Sequence, residues 1–162
     1  MNQPKINLQE VKIEGRSDIL IVWNTKKYHC WKSLVKRGFD YEHNTKEWPL
    51  EVKRAWIYVN EPENKLLYIT KVVYEGKKAP ENLWDCDKCR NMTRELNNDS
   101  TLKAVYKLEL LHIFEKGNSL PELQKYKNLR SRKHFFTPKP MRTPVYVDSY
   151  DLKLGIITGK IS

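Results

Sequence analysis

Apolar positions along this chain follow two periods. Asp18-Ile-Leu-Ile-Val-Trp23 is a short β-branched run and predicts a strand. Beyond it Tyr28, Trp31, Leu34 and Val35 recur on one face at helical spacing. Asn24 or Thr25 suits the N-cap, Lys36-Arg37 the last turn and Gly38 the C′ position, so a helix is expected over 26–37. Residues 39–53 read as a loop punctuated by Trp48-Pro49. Ala55 to Val59 and Leu66 to Tyr74 are strand-like runs joined by the turn-rich Asn60-Glu-Pro-Glu-Asn64, which makes a hairpin. Pro80 and Glu81 suit a helix start, and Leu83, Cys86, Cys89 and Leu96 then share roughly one face up to Asn97-Asn98. Ala104 to Phe114 alternates, with Tyr106, Leu108, Leu110, His112 and Phe114 on one side and Lys107 and Glu109 on the other. Gly117-Asn118 closes that long strand. Ser119-Leu-Pro-Glu122 matches a capping box and predicts a short helix to about Tyr126. Val145 to Val147 and Leu152 to Thr158 read as final strands.

Strands therefore dominate, and the helices are short. The order suits an α+β, mostly β fold: a mixed sheet curled into an open barrel with helices packed at its ends. The 162 residues are about one domain. Residues 1–17 are polar and expected to be loosely held, leaving 18–162 as a single domain. With 40% hydrophobic and 31% charged residues the composition is that of a globular protein. No apolar run approaches the length of a bilayer span, so no membrane partner is expected. The first ten residues lack the apolar core of a secretory signal. Three cysteines, an odd number, make a disulfide framework unexpected and point to a reducing, intracellular compartment, cytoplasmic or nuclear.

Charge changes the picture most. Between Glu122 and Asp148 there is no acid, while Lys125, Lys127, Arg130, Arg132, Lys133, Lys139 and Arg142 fall in that gap, interleaved with Tyr126, His134, Phe135 and Phe136. A second acid-free stretch, between Asp18 and Asp40, holds Lys26, Lys27, Lys32, Lys36 and Arg37. These twelve cations exceed the whole formal net charge of +10. Cations attract phosphate and flat rings stack on unpaired bases, so two such windows side by side would make a phosphate-tracking groove. The bland alternative is two solvated basic surfaces.

The helix ending in Lys36-Arg37-Gly38, the acid Glu42 in the next loop, the strand and turn Trp56-Ile-Tyr-Val-Asn-Glu-Pro62, the strand Leu66 to Val72 and the late Leu120-Pro-Glu-Leu123 together resemble the ASCH branch of the PUA-like superfamily. The resemblance spans roughly residues 18–160. It implies a small barrel with a cleft lined by the first helix and the following loop. Family members bind RNA or DNA, sometimes holding one base, and some act as ribonucleases or modified-nucleoside hydrolases. The family loop usually reads Gly-x-Lys-x-x-Glu-x-Arg, whereas Gly38-Phe-Asp-Tyr-Glu-His-Asn44 lacks the Lys and the Arg and carries its acid one position early. Phe39, Asp40 and Tyr41 stand where hydrolase members use a Lys and a Thr. The resemblance thus implies binding rather than a carried-over hydrolytic activity.

Other constellations are weaker. Most of the five tryptophans should be core, Trp56 above all, but Trp48 before a proline in a loop is a stacking candidate. Phe135 and Phe136 cannot both face one way in an extended loop, so one is expected to face a base. Cys86-Asp-Lys-Cys89 has half of a zinc spacing but no second half, and a redox pair should open a helix rather than lie within it. No metal site and no cofactor are expected. His112 reads as a satisfied core residue. No nucleophile triad or glycine-rich phosphate loop is visible. The reading is a nucleic-acid-binding module, RNA favoured, with single-stranded nucleic acid or a ribonucleoprotein as partner. Its expected contacts are Lys26, Lys27, Lys32, Lys36, Arg37, Trp48, Arg130, Arg132, Lys133, His134, Phe135 and Phe136. The alternatives are a nuclease in the same cleft, with His134 as base, and a basic module docking on an acidic protein.

Overall fold

The computed structural model describes residues 16–24, 32–84, 86–123 and 145–147. Six strands form one mixed sheet in the order β2-β5-β4-β3-β1-β6. β1 (Asp18–Trp23) runs parallel to β3 (Arg54–Val59), and β4 (Lys65–Gly76) pairs antiparallel with β3 and with β5 (Ala104–Ser119). β2 (Phe39–Asn44) lies beyond β5, and β6 (Val145–Tyr146) pairs with β1 at the other edge. The first strand, the hairpin and the long strand stand where their periods place them. The expected strand over 152–158 lies outside the described residues, as do Lys26, Lys27 and the late basic loop. No described helix is long and apolar enough to cross a membrane.

Both faces of the sheet centre are covered, so β3 is buried from Ala55 to Val59 with no alternation of exposure. On one face Ile19, Trp23, Ala55, Ile57, Val59 and Leu108 pack with Leu34 of α1 (Ser33–Arg37). On the other, Trp56 and Phe114 bring their rings to 6.0 Å. The buried Asp18 carboxylate accepts from Trp56 Nε1 at 2.6 Å, from Arg54 Nε at 2.9 Å and from the Ser17 hydroxyl at 2.7 Å.

Where a helix over 26–37 was expected, α1 begins at Ser33 with Lys32 as its N-cap, residues 26–31 lying outside the described ones, and three further stretches depart from the sequence expectation. Residues 39–44 are a strand, not a loop. Gly38, at φ +84°, ends α1 by donating its N–H to Leu34 O, and Phe39 starts β2 at once. Six cross-strand pairs, from Phe39↔Glu109 to Asn44↔Ala104, then hold β2 on β5. Second, the helix expected from Pro80 begins only at Asp87, as α2 (Asp87–Asn97) with Cys86 as N-cap. The Asn97 side chain clamps Ala79 through both main-chain groups at 2.8 Å, and Arg90 Nη1 reaches Trp84 O. Residues 79–84 therefore run back along α2 instead of joining it. Third, β5 continues five residues past Phe114, through Gly117 at φ +67°, where a Cβ would come within 2.8 Å of Leu67 Cδ2. The predicted capping box of α3 (Leu120–Leu123) is present. Ser119 N–H donates to Glu122 Oε2 at 3.2 Å, and Glu122 N–H donates to the Ser119 hydroxyl at 3.5 Å.

Candidate functional site

β2 carries its acids on one face. Asp40 and Glu42 are two residues apart on the strand, so both project to the same side. There they line a cleft with Trp23 at the end of β1, Trp84 from the returning segment, and Met92, Thr93 and Leu96 of α2. Trp23 Nε1 donates to Glu42 Oε2 at 3.0 Å. Burial pushes the Glu42 carboxyl up to about 8. The Trp23 bond opposes that shift and the neighbouring Asp40 charge adds to it. Asp40 is likewise raised by burial, to about 7, against the pull of the Tyr41 N–H and of the Arg37 guanidinium. Near neutral pH the pair holds at least part of a proton. A protonated carboxyl donates and an ionised one accepts, so side by side they match a mixed donor–acceptor edge.

His43, the next residue along β2, also borders the cleft. Its Nε2 lies 2.9 Å from Asn97 Oδ1. That oxygen already accepts the Ala79 N–H, so the imidazole proton sits on Nε2. Burial lowers the His43 pKa, and the Asn97 bond opposes that shift. The contact ties the edge strand to α2.

The basic end of α1 meets this cleft. Lys36 and Arg37 form its last turn. The Arg37 guanidinium lies 4.5 Å over the Trp84 ring, and its charge is felt at Asp40. Trp84 Nε1 is buried and has no hydrogen-bond partner, a donor left over at the cleft wall. As it stands the cleft encloses about 40 Å³, enough for a few waters but not for a base. A base would have to part its walls.

Among the expected contacts, Lys32 and Lys36 are exposed on and beside α1, and Arg37 reaches the cleft. Trp48 differs from expectation: its ring is buried and stacked on Tyr106, with centroids 4.2 Å apart and planes 10° apart. The Trp48 main-chain N–H also donates to Tyr106 Oη at 2.6 Å, and the stacked Tyr106 ring, 58 positions away, takes the face that a loop tryptophan would offer a base. Lys26, Lys27, Arg130, Arg132, Lys133, His134, Phe135 and Phe136 lie outside the described residues.

The cysteines also correct the sequence reading. Cys86 caps α2 and is a free thiol, so the pair opens the helix rather than lying inside it. Cys89 is disulfide-bonded, although no disulfide was expected, and its sulfur is therefore not a free thiolate for a metal. Linear spacing does not disclose a contact made only by the fold. His112 is T-shaped against Phe114 at 4.9 Å, and its Nδ1 is buried without a partner, so it is not the satisfied residue expected.

Sequence pattern alone does not single out Asp40, Trp23 or Trp84 as site residues, and it marks Glu42 only as a displaced loop acid. The signal for the carboxyls was available. In Phe39-Asp-Tyr-Glu-His43 acids alternate with rings at the strand period.

No protein-family model matches the chain, and no curated protein matches it. Among solved structures, the crystal structure of ASCH from Zymomonas mobilis is similar with a TM-score of 0.53 at 14% identity, covering 91% of this chain and 98% of that one. Two point variants of the same protein, ZmASCH, give TM-scores of 0.52 and 0.53 at 13% identity. At that identity the likeness concerns the fold: the chain has an ASCH-like, PUA-like α+β architecture, mostly β.

Proposed function

We propose that the chain is a nucleic-acid-binding module, RNA favoured, that seats one base in the Trp23–Trp84 cleft and holds the flanking phosphates through the cations around it. The observation that carries this reading is the placement of Arg37 on Trp84 at the mouth of a carboxyl-floored cleft. Aromatic walls stack a base, the Asp40–Glu42 pair reads its edge, and Arg37 with Lys36 meets the backbone. The acid-free run from Lys125 to Arg142 adds charge of the same sign.

The test is anisotropy of labelled single-stranded RNA, single-stranded DNA and duplexes over a salt series. Wild type should favour single-stranded RNA with a steep salt slope. Lys36→Glu with Arg37→Glu should weaken binding at least 10-fold and flatten the log–log slope by about 1.4, the loss of two single-strand phosphate contacts. Equal, weak binding to every ligand, indifferent to that double variant, would end the proposal.

A second reading, hydrolysis in the same cleft, draws on Asp40 and Glu42 titrating near neutral pH, where a general acid and base must work. Shortening of the RNA during the titration, abolished in Glu42→Gln, would favour it over binding alone.

A further inference from the structure

α2 is thinly attached to the sheet. Of its 11 residues, Cys89 and Thr93 are the buried ones. The Thr93 hydroxyl donates to Cys89 O at 2.9 Å, a bond spent within the helix. Asn97 clamps Ala79, and Arg90 reaches Trp84 O, so the 79–84 segment and α2 form one piece. That piece leaves β4 at Gly76, whose φ of +128° and open surroundings suit a joint. Among the described contacts, its polar ties to the other side of the cleft are the His43–Asn97 bond and Arg37 on Trp84. The covalent tie is the disulfide at Cys89.

A free thiol stands beside that disulfide. Cys86 is the half-buried N-cap of α2, which makes Cys89 the third residue of the helix. With Cys86 free, the sulfur joined to Cys89 comes from outside residues 86–97. Cys89 N–H and Arg90 N–H both donate to Cys86 O at 3.1 Å. A turn closed in this way brings its end Cα atoms within about 7 Å, and disulfides span Cα separations of about 4.4–6.8 Å. The N-cap and the third helical residue are also the pair that exchange bonds in a capping box, each reaching toward the other. The turn can therefore carry a Cys86–Cys89 bridge with the helix in place.

We propose that α2 is a thiol–disulfide gate: Cys86 exchanges into the Cys89 disulfide, releases the first turn of α2 from its covalent tie, and lets the cleft widen. The Cys86 thiolate attacks Cys89 Sγ. The Cys86–Cys89 bond forms, and the bond from Cys89 to its present partner breaks. The partner sulfur leaves as a thiolate and takes up the proton that Cys86 gave. No electron is gained or lost overall, so the exchange consumes neither oxidant nor reductant.

The gate answers to the size of the cleft. Cys89, Met92, Thr93 and Leu96 line one wall beside Trp84, with Trp23 and the carboxyls opposite, and the 40 Å³ between them is too little for a base. With the tie exchanged, Trp84 and α2 swing together about Gly76 and part the two walls. That the gate admits a base rests on the nucleic-acid reading of the cleft; the exchange and the loosening of α2 do not.

The experiment uses the full chain, prepared without reductant at pH 5 and moved to pH 8, with free thiols blocked by N-ethylmaleimide before digestion. Trypsin cuts after Lys88, so Cys86 and Cys89 leave on separate peptides and a bridge between them is read by mass. In wild type the Cys86–Cys89 bridge should grow at pH 8 at the expense of the product in which Cys89 is joined elsewhere. Cys86→Ser should hold only the latter. Hydrogen exchange of the 92–97 amides should be at least 10-fold slower in oxidised Cys86→Ser than in the same protein with dithiothreitol, with β4 and β5 unchanged. Because that comparison is made within one protein, any effect of serine on the helix cap cancels. Without reductant, Cys86→Ser should bind single-stranded RNA at least 10-fold more weakly than wild type, and with dithiothreitol the two should bind alike. If no Cys86–Cys89 peptide forms at pH 8, the proposal is overturned. If it forms while the 92–97 amides ignore both the exchange and dithiothreitol, the bridge gates nothing and the proposal again fails. If the bridge forms and α2 loosens but no form of the protein binds RNA, the gate stands and the nucleic-acid reading falls.

Discussion

Asp18 shows how much one side chain organises here. It is fully buried at the start of β1, yet its two oxygens accept from Arg54, Trp56 and Ser17. A buried carboxylate is tolerable only with such partners. Removing it leaves Trp56 Nε1 with no acceptor in the core and Arg54, only 22% exposed, without its counter-charge. Asp18→Ala should therefore cost about 3 kcal/mol, the lower end of the cost of breaking a buried pair, because Arg54 can still reach water. Trp56→Phe removes a single hydrogen bond and should cost less, about 1 kcal/mol plus any packing loss. Urea unfolding followed by far-ultraviolet dichroism reads both as shifts of midpoint at constant slope. An Asp18→Ala midpoint equal to that of wild type would mean the network holds nothing together.

Between residue and sheet, Gly38 is the joint. It turns α1 straight into β2 at φ +84°, and nothing lies within 4 Å of where a Cβ would stand. Gly38→Ala therefore meets no clash, only the left-handed backbone penalty, and should cost about 1 kcal/mol in the same unfolding measurement. A loss above about 3 kcal/mol would show that the turn bears more than its own conformation. The glycine was legible as a helix stop, yet the strand after it was not. The strand over 18–23, the hairpin and the capping box are set by neighbours in sequence, so period and turn residues disclose them. β2 turns acids toward the cleft and partly buried rings outward, the reverse of an amphipathic strand, and it owes its place to β5 more than sixty residues on. α2 starts late because Asn97 captures Ala79, and Trp48 is buried because Tyr106 captures it; both are long-range contacts. The cleft draws on β1, β2 and α2, so its basic rim was readable from charge while its aromatic and carboxyl lining needed the fold.

At the scale of the whole molecule, the buried acids couple stability to pH in a definite direction. Asp40 rises from 3.8 to about 7 and Glu42 from 4.5 to about 8. A carboxyl whose folded pKa is raised binds its proton more tightly folded than unfolded. Its contribution is thus complete below about pH 4 and is lost as pH climbs through 7 and 8. The formal net charge of +10 acts the other way, since positive self-repulsion grows as the remaining carboxylates are neutralised in acid. The raw melting curve mixes the two effects, and the difference between proteins separates them. In Asp40→Asn with Glu42→Gln the charge of the folded protein changes little at pH 5, where wild type holds both protons, so across the range the two melting temperatures should differ least there. At pH 8.5 wild type must ionise two buried groups that the variant lacks, each pKa unit being worth about 1.4 kcal/mol. The variant's melting temperature relative to wild type should therefore rise steadily from pH 5 to pH 8.5, with most of the change between 6 and 8. A flat difference, or one of opposite sign, would mean that these carboxyls are solvated and ionised in the folded protein. The cleft would then offer a base two acceptors, and it would favour an edge rich in donors rather than a mixed one.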